Sequence, residues 1–197
     1  MCTRNQESEK DKNIIEFYNR DTFVKVKEAF AISKIVFSFV KWDIHTGESI
    51  ASVDCYMKVE EAGLLARKIT TGRMYQKMEQ ERAKGQKYPD SVWKSPLGGV
   101  SEAEVKRRML RSDGRAISRY FTIAPGSSKY AVISAITCAG DTDETGLIIP
   151  DMKDPNKKTI RIALSSHDEI EELGIMLEAA VNAYVNYVCN IYKPRRE

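Results

Sequence analysis

No run of apolar residues in this chain approaches the 18 or so that a membrane-crossing helix needs, so such a helix is excluded on length. Residues Met1 to Asn13 hold no apolar stretch either. They are polar and mixed in charge, which predicts a frayed leader over residues 1–13, no secretory signal and a cytoplasmic location. Cysteine is scarce and scattered: Cys2, Cys55, Cys138 and Cys189 include no pair with the two-residue spacing of a zinc knuckle or a redox motif. They read as small hydrophobes in a reducing compartment. The two histidines, His45 and His167, have no metal-ligand spacing and are expected to face solvent. The stretch "APGSSK" (Ala124 to Lys129) lacks the glycine and lysine spacing of a phosphate-binding loop. Glu171 and Glu172 suit the positive end of a helix dipole better than a catalytic pair. With no clustered His, Cys or paired carboxylate, no catalytic residue, metal or cofactor is expected, and the chain reads as non-enzymatic.

What is present is an ordinary globular composition with an unusual distribution of charge. Of 197 residues, 42% are hydrophobic and 30% charged, enough for one substantial core or two small ones. The formal net charge is only +3. Yet between Arg82 and Arg119 ten basic residues face four acidic ones, so this segment carries +6 and the remainder −3. A basic segment on a near-neutral body points to an anionic partner at one place.

Periodicity divides the chain in two. Ala31 to Trp42 alternates as a strand with Ile35, Phe37 and Phe39 on one face, "DIHTGES" turns, and Ile50 to Lys58 is a second strand. Ile14 to Lys27 supplies one or two more. "VEEAGLLARKITTG" carries the Ala62, Leu65 and Ile69 stripe of a helix, and "RMYQKMEQERAKG" a kinked or separate extension. A connector rich in Pro and Gly (Gly85 to Gly99) leads to a short helix opened by the Ser101/Glu104 capping box and ended before Gly114. The second half offers strands over Ala116–Ile123, Lys129–Cys138, Gly146–Ile149 and Thr159–Leu164. A last helix opens at Ser165 or Ser166, where Ser166 and Glu169 fit a capping box, and runs to Tyr192, striped by Ile170, Leu173, Leu177, Val181, Tyr184, Val188 and Tyr192. The predicted class is therefore α+β: two successive units of antiparallel strands followed by a helix, over 14–84 and 116–197, joined by a basic connector at 85–115, the two units forming one compact domain.

"SDGRAISRYFTIAPG", "GLIIP" and "IRIALSSHDEIEELGIMLEAAVNAYV" resemble the Whirly class of single-stranded DNA-binding proteins and the related transcriptional coactivators that dimerise through their helix. The same stretches resemble small proteins encoded on conjugative elements of Gram-positive bacteria. The resemblance covers about half the chain and holds no catalytic signature. It implies a Whirly-like duplication that binds single-stranded DNA across a sheet face, tolerant of sequence, and a role in mobile-element DNA processing.

The residues carry chemistry suited to that partner. Single strands need a positive groove for phosphates and aromatic faces for bases. Lys106, Arg107, Arg108, Arg111 and Arg115 run into a strand bearing Arg119 and Tyr120, while Lys41, Trp42 and Trp93 lie elsewhere in the chain. Alternation places Tyr120 on the polar face with Ser118 and Thr122, so its ring is expected to be accessible. Phe121, on the face of Ile117 and Ile123, is expected in the core. An acidic protein partner, met by the same basic segment, is the alternative to nucleic acid, and a homo-oligomer stays open.

Overall fold

A computed structural model describes residues 12–191. The leader predicted at 1–13, Cys2 and Tyr192 therefore fall outside the described residues, apart from Lys12 and from Asn13, which opens the first strand. That strand, β1 (Asn13–Tyr18), pairs with β2 (Thr22–Ala29), then β3 (Lys34–Trp42) and β4 (Ser49–Lys58), in an antiparallel meander. Ile14 to Lys27 thus yields two strands, and the first half has the four that the doubled plan requires. The strand predicted from Ala31 begins later. Phe30–Ile32 is a 3-10 turn, and Ser33 takes a left-handed conformation at φ 55° to reverse the chain.

Two helices follow, α1 (Val59–Thr70) and α2 (Arg73–Ala83). Gly72 separates them at φ +72°, a conformation that side chains rarely adopt, so the predicted extension is a distinct helix. The Glu61 carboxylate accepts from the Lys58 amide at 3.0 Å and satisfies one of the donors orphaned at the start of α1.

The connector does more than link the halves. It contributes β5 (Trp93–Lys94) and β6 (Gly98–Val100) before α3 (Glu102–Arg108), where the Ser101 hydroxyl accepts from the Glu104 amide as predicted. Both short strands pair with one edge of β7 (Ala116–Pro125), which pairs on its other side with β8 (Ala131–Thr142). Beyond β8 lie β10 (Lys158–Leu164) and, at its far end, β9 (Ile148–Pro150). The chain closes with α4 (His167–Ile191), begun by a reciprocal cap in which the Ser166 hydroxyl accepts from the Glu169 amide and the Glu169 carboxylate from the Ser166 amide. The α+β architecture of two strand-and-helix units is thus the one found.

One core joins the two sheets. Ile35, Phe37 and Phe39 from β3 and Val53, Cys55 and Met57 from β4 are buried, and so are Phe121 and Ile123 from β7. The rings of Phe37 and Phe121 stack with centroids 4.5 Å apart, directly across the interface between the sheets. Helices α1 and α4 pack against each other and the sheets through Ala62, Leu65, Ile69, Ile170, Leu173 and Leu177. Their approach is close: a Cβ on Gly174 would lie 2.6 Å from Ile69 Cγ2. The α4 stripe is fully buried only as far as Leu177. Val181 and Tyr184 are half-buried, because the second half of the helix runs past the edge of the core.

Candidate nucleic-acid interface

The cations of α3 are exposed but not idle. Lys106 pairs with Glu102 at 2.5 Å, Arg107 with Glu104 at 2.6 Å, and Arg108 also reaches Glu104. The Arg107 and Arg108 guanidiniums hold the Glu104 carboxyl down to about 2. Solvent-exposed pairs of this kind add little to stability and exchange readily for another anion. The three side chains therefore remain available to phosphates.

Arg111 and Arg115 do a different job. Arg111 donates to Asp113 at 2.9 and 2.7 Å and to Asp154 at 3.0 Å, with only 14% of its side chain exposed. Asp154, 2% exposed in its side chain, also accepts from the Ala139 amide at 2.6 Å and the Asn156 amide at 3.0 Å. Burial pushes the Asp154 carboxyl up; the Ala139 amide and Arg111 outweigh that and hold it below the usual range. Arg115 clamps Asp141 and Asp151, each at 3.0 Å. The two arginines thus tie β8 and the β9–β10 loop to β7 and neutralise that loop's carboxylates. The charge of Arg111, read in the sequence as part of a phosphate track, is largely spent inside the fold, whereas Arg115 meets its carboxylates at the surface.

Tyr120 corrects a second expectation. It does point away from the core, as alternation requires, but it is 4% exposed. The Lys94 ammonium lies 4.4 Å from the ring centroid and the phenol contacts Met152 Sδ at 3.3 Å. Strand β5 and the β9–β10 loop fold over a face that the strand pattern alone leaves open. Trp93 is also no free platform: it is half-buried, its ring 5.1 Å from that of Phe121. Phe121 is fully buried, as its face implies.

The aromatic surface lies instead on the solvent side of the first sheet. With Ile15, Phe17, Val24 and Val26 inward, Tyr18, Phe23, Lys25 and Lys27 point outward. Tyr18 stands opposite Phe23, whose ring is 5.8 Å from that of Tyr18 and 5.3 Å from that of Trp42. Three rings on β1, β2 and β3 thus form a row, with Tyr18 59% exposed. Lys25 lies 5.6 Å from the Phe23 ring and pairs with Glu16 at 3.1 Å; Lys41, at the sheet's end, sits 3.6 Å from Asp21. Tyr56, exposed on β4, has Lys34 Nζ 5.9 Å from its ring. Of this surface the sequence pointed only to Trp42; Lys41, also expected at the interface, alternates to the inward side of β3 with Phe37 and Phe39. The period-two alternation of "IIEFY" and "TFVKVKEA" is the signal that could have supplied the rest.

Arg119 is half-buried where the two sheets meet. It faces β4 closely enough to oppose, through its charge, the burial that pushes the Cys55 thiol up to about 12. It makes no ion pair among the described residues. One groove beside it, of about 460 Å³, is lined by Lys34, Tyr56, Lys58 and Arg108; another, of about 400 Å³, by Thr137 and Lys158.

His167 does not face solvent freely as expected. Tyr75 and Tyr130 stand edge-on to its ring at 5.3 and 5.2 Å, and its Nδ1 is 3.6 Å from Glu171. Together with Asp168 these groups bring their ligand atoms within 4.8 Å of one another, at the positive end of α4, where the dipole opposes a cation. His45 is exposed in the β3–β4 turn.

No helix among the described residues is long and apolar enough to cross a membrane. No protein-family model matches the chain, and no curated protein sequence does. Among solved structures, that of the plant transcriptional regulator PBF-2 is similar, at 10% identity over 93% of this chain and 88% of that one, with a TM-score of 0.47.

Proposed function

We propose that this protein binds single-stranded nucleic acid, tolerantly of sequence, along the solvent face of its first sheet. The row of Tyr18, Phe23 and Trp42, with ring centroids 5.8 and 5.3 Å apart beside Lys25 and Lys27, carries this reading. Every base has a face to stack, and each stacked base contributes about 1–3 kcal/mol, so such a row needs no sequence code. A duplex hides those faces and is the weaker ligand. Lys106, Arg107 and Arg108, held only by exposed carboxylates, extend the phosphate track. The resemblance to Whirly proteins supports the same partner, and DNA over RNA. A role in mobile-element processing rests on the resemblance alone. The protein acts by binding, without a reaction of its own.

The test is fluorescence anisotropy with a labelled single-stranded oligonucleotide and its duplex. Affinity for the single strand should fall linearly on a log–log salt plot, with a slope of about −0.7 per phosphate contact. The double variant Phe23→Ala, Trp42→Ala should weaken single-strand binding by about 2–6 kcal/mol if each ring holds one base. Equal affinity of variant and parent would refute the stacking face. A second reading, an interaction module for an acidic protein, draws on the large apolar residues left exposed, Leu64 on α1 and Ile175 and Val185 on α4. It would lead if oligonucleotides failed to bind at low salt.

A further inference from the structure

The second sheet holds a cation arrangement that the stacking face does not use. In the register of β7, β8 and β10, Arg119 stands opposite Thr137, and Thr137 opposite Lys158. The three side chains therefore form one row across three strands, on one face of the sheet. Neighbouring strands lie about 4.8 Å apart, so the two cations start roughly 10 Å apart with a hydroxyl midway. Both side chains are long enough to converge on a single anion over Thr137. Neither Arg119 nor Lys158 makes an ion pair among the described residues.

The row opens into the cavity of about 400 Å³, walled on further sides by Ser52 of β4, Ser112 of the α3–β7 loop and Asn156 of the β9–β10 loop. Arg111 and Asp113 also line it but answer each other through two hydrogen bonds, and Arg111 is further balanced by Asp154. The cavity thus keeps two cations without ion-pair partners and a set of neutral donors.

From this we infer that the Arg119–Thr137–Lys158 row is a binding site for a phosphomonoester. A monoester carries close to two negative charges and three acceptor oxygens near neutral pH, which match two cations and a hydroxyl. The linking phosphodiester of a chain carries one charge and two free acceptor oxygens, a poorer match to two cations and a hydroxyl. The group can come from a free nucleotide or from the phosphorylated end of a strand, and both present the same chemistry.

Three probes separate the sources: inorganic phosphate, adenosine monophosphate, and an oligonucleotide with a 5′-phosphate compared with the same oligonucleotide ending in a hydroxyl. Calorimetry or anisotropy on the full chain should show the phosphorylated oligonucleotide binding about tenfold tighter, the gain of one good charge-assisted contact. Lys158→Met, at an exposed position, and Arg119→Met should each abolish that difference, and Lys158→Met should leave the hydroxyl-ended affinity within about twofold. Adenosine monophosphate or phosphate binding with the same sensitivity assigns the free source; a gain confined to the oligonucleotide assigns the strand end. The Phe23→Ala, Trp42→Ala variant should keep the adenosine monophosphate or phosphate response while losing single-strand affinity, so the two readings fail separately. Should neither small probe bind and the two oligonucleotides bind alike, the inference is overturned. It is overturned equally if Lys158→Met retains the full difference while still folded.

Discussion

Arg111→Met distinguishes a clamp from a phosphate contact. In the native fold Arg111 faces a carboxylate that is 2% exposed in its side chain and cannot reach bulk water. Removing the guanidinium leaves Asp154 with the Ala139 and Asn156 amides but without a countercharge. Breaking a buried pair in this way costs about 3–5 kcal/mol. Arg111 keeps 14% exposure and both amides persist, so the low end, about 3 kcal/mol, is expected. For a chain of this length each kcal/mol shifts Tm by about 2–4 °C, giving a fall of roughly 6–12 °C at pH 7. Thermal unfolding followed by circular dichroism measures it, with Arg107→Met on the exposed face of α3 as a control that should leave Tm unchanged. The pH dependence adds a second readout. Asp154 has a lowered native pKa, so its contribution is present above the unfolded carboxylate value of about 3.9 and is lost as pH falls through the native value. Without Arg111 only the Ala139 and Asn156 amides oppose burial, so the Asp154 pKa rises relative to the parent and protonation relieves the variant first. The gap in Tm between parent and variant should therefore shrink as pH falls from 7 towards 4. A Tm within about 2 °C of the parent, or a gap that widens in acid, would refute the clamp.

Three further outcomes test the core and its coverings. Phe121→Ala should cost about 3–5 kcal/mol in urea unfolding, because its ring stacks on Phe37 between the sheets. Tyr120→Ala should also lower stability, through lost packing under Lys94 and Met152, and leave oligonucleotide affinity unchanged; weakened binding with intact stability would restore Tyr120 to the interface. Gly174→Ala should cost about 1–3 kcal/mol despite the better helix former, since its Cβ would meet Ile69 at 2.6 Å. A stabilised variant would show that α1 and α4 can part at no cost.

The elements were legible where a periodic pattern ran uninterrupted between its own start and stop signals. Alternation put Ile35, Phe37 and Phe39 inward on β3. The 3–4 spacing marked the α4 stripe, and the Ser101/Glu104 and Ser166/Glu169 pairs opened α3 and α4 where predicted. These are local matters of backbone geometry and solvent preference, so nearby residues suffice to decide them. Local pattern also placed Tyr120 on the correct side of β7 and Phe121 on the other.

What covers a face is not local. Whether Tyr120 meets water depended on β5, two residues within a Pro- and Gly-rich connector, and on Met152 from a loop 32 residues further along. The fate of the basic run was decided in the same way. Arg111 and Arg115 look like Arg107 in sequence, yet their partners Asp154, Asp151 and Asp141 come from 26 to 43 residues away. Only the closing of the second sheet brings those carboxylates to them. The aromatic row and the Arg119–Thr137–Lys158 row likewise exist only through strand register, which pairs residues that no sequence window contains together. The sequence by itself determined which segments became strands and helices and which side of each is apolar. Tertiary structure decided which charges are spent, which rings are covered and which side chains stand together, because each depends on contacts between segments distant along the chain.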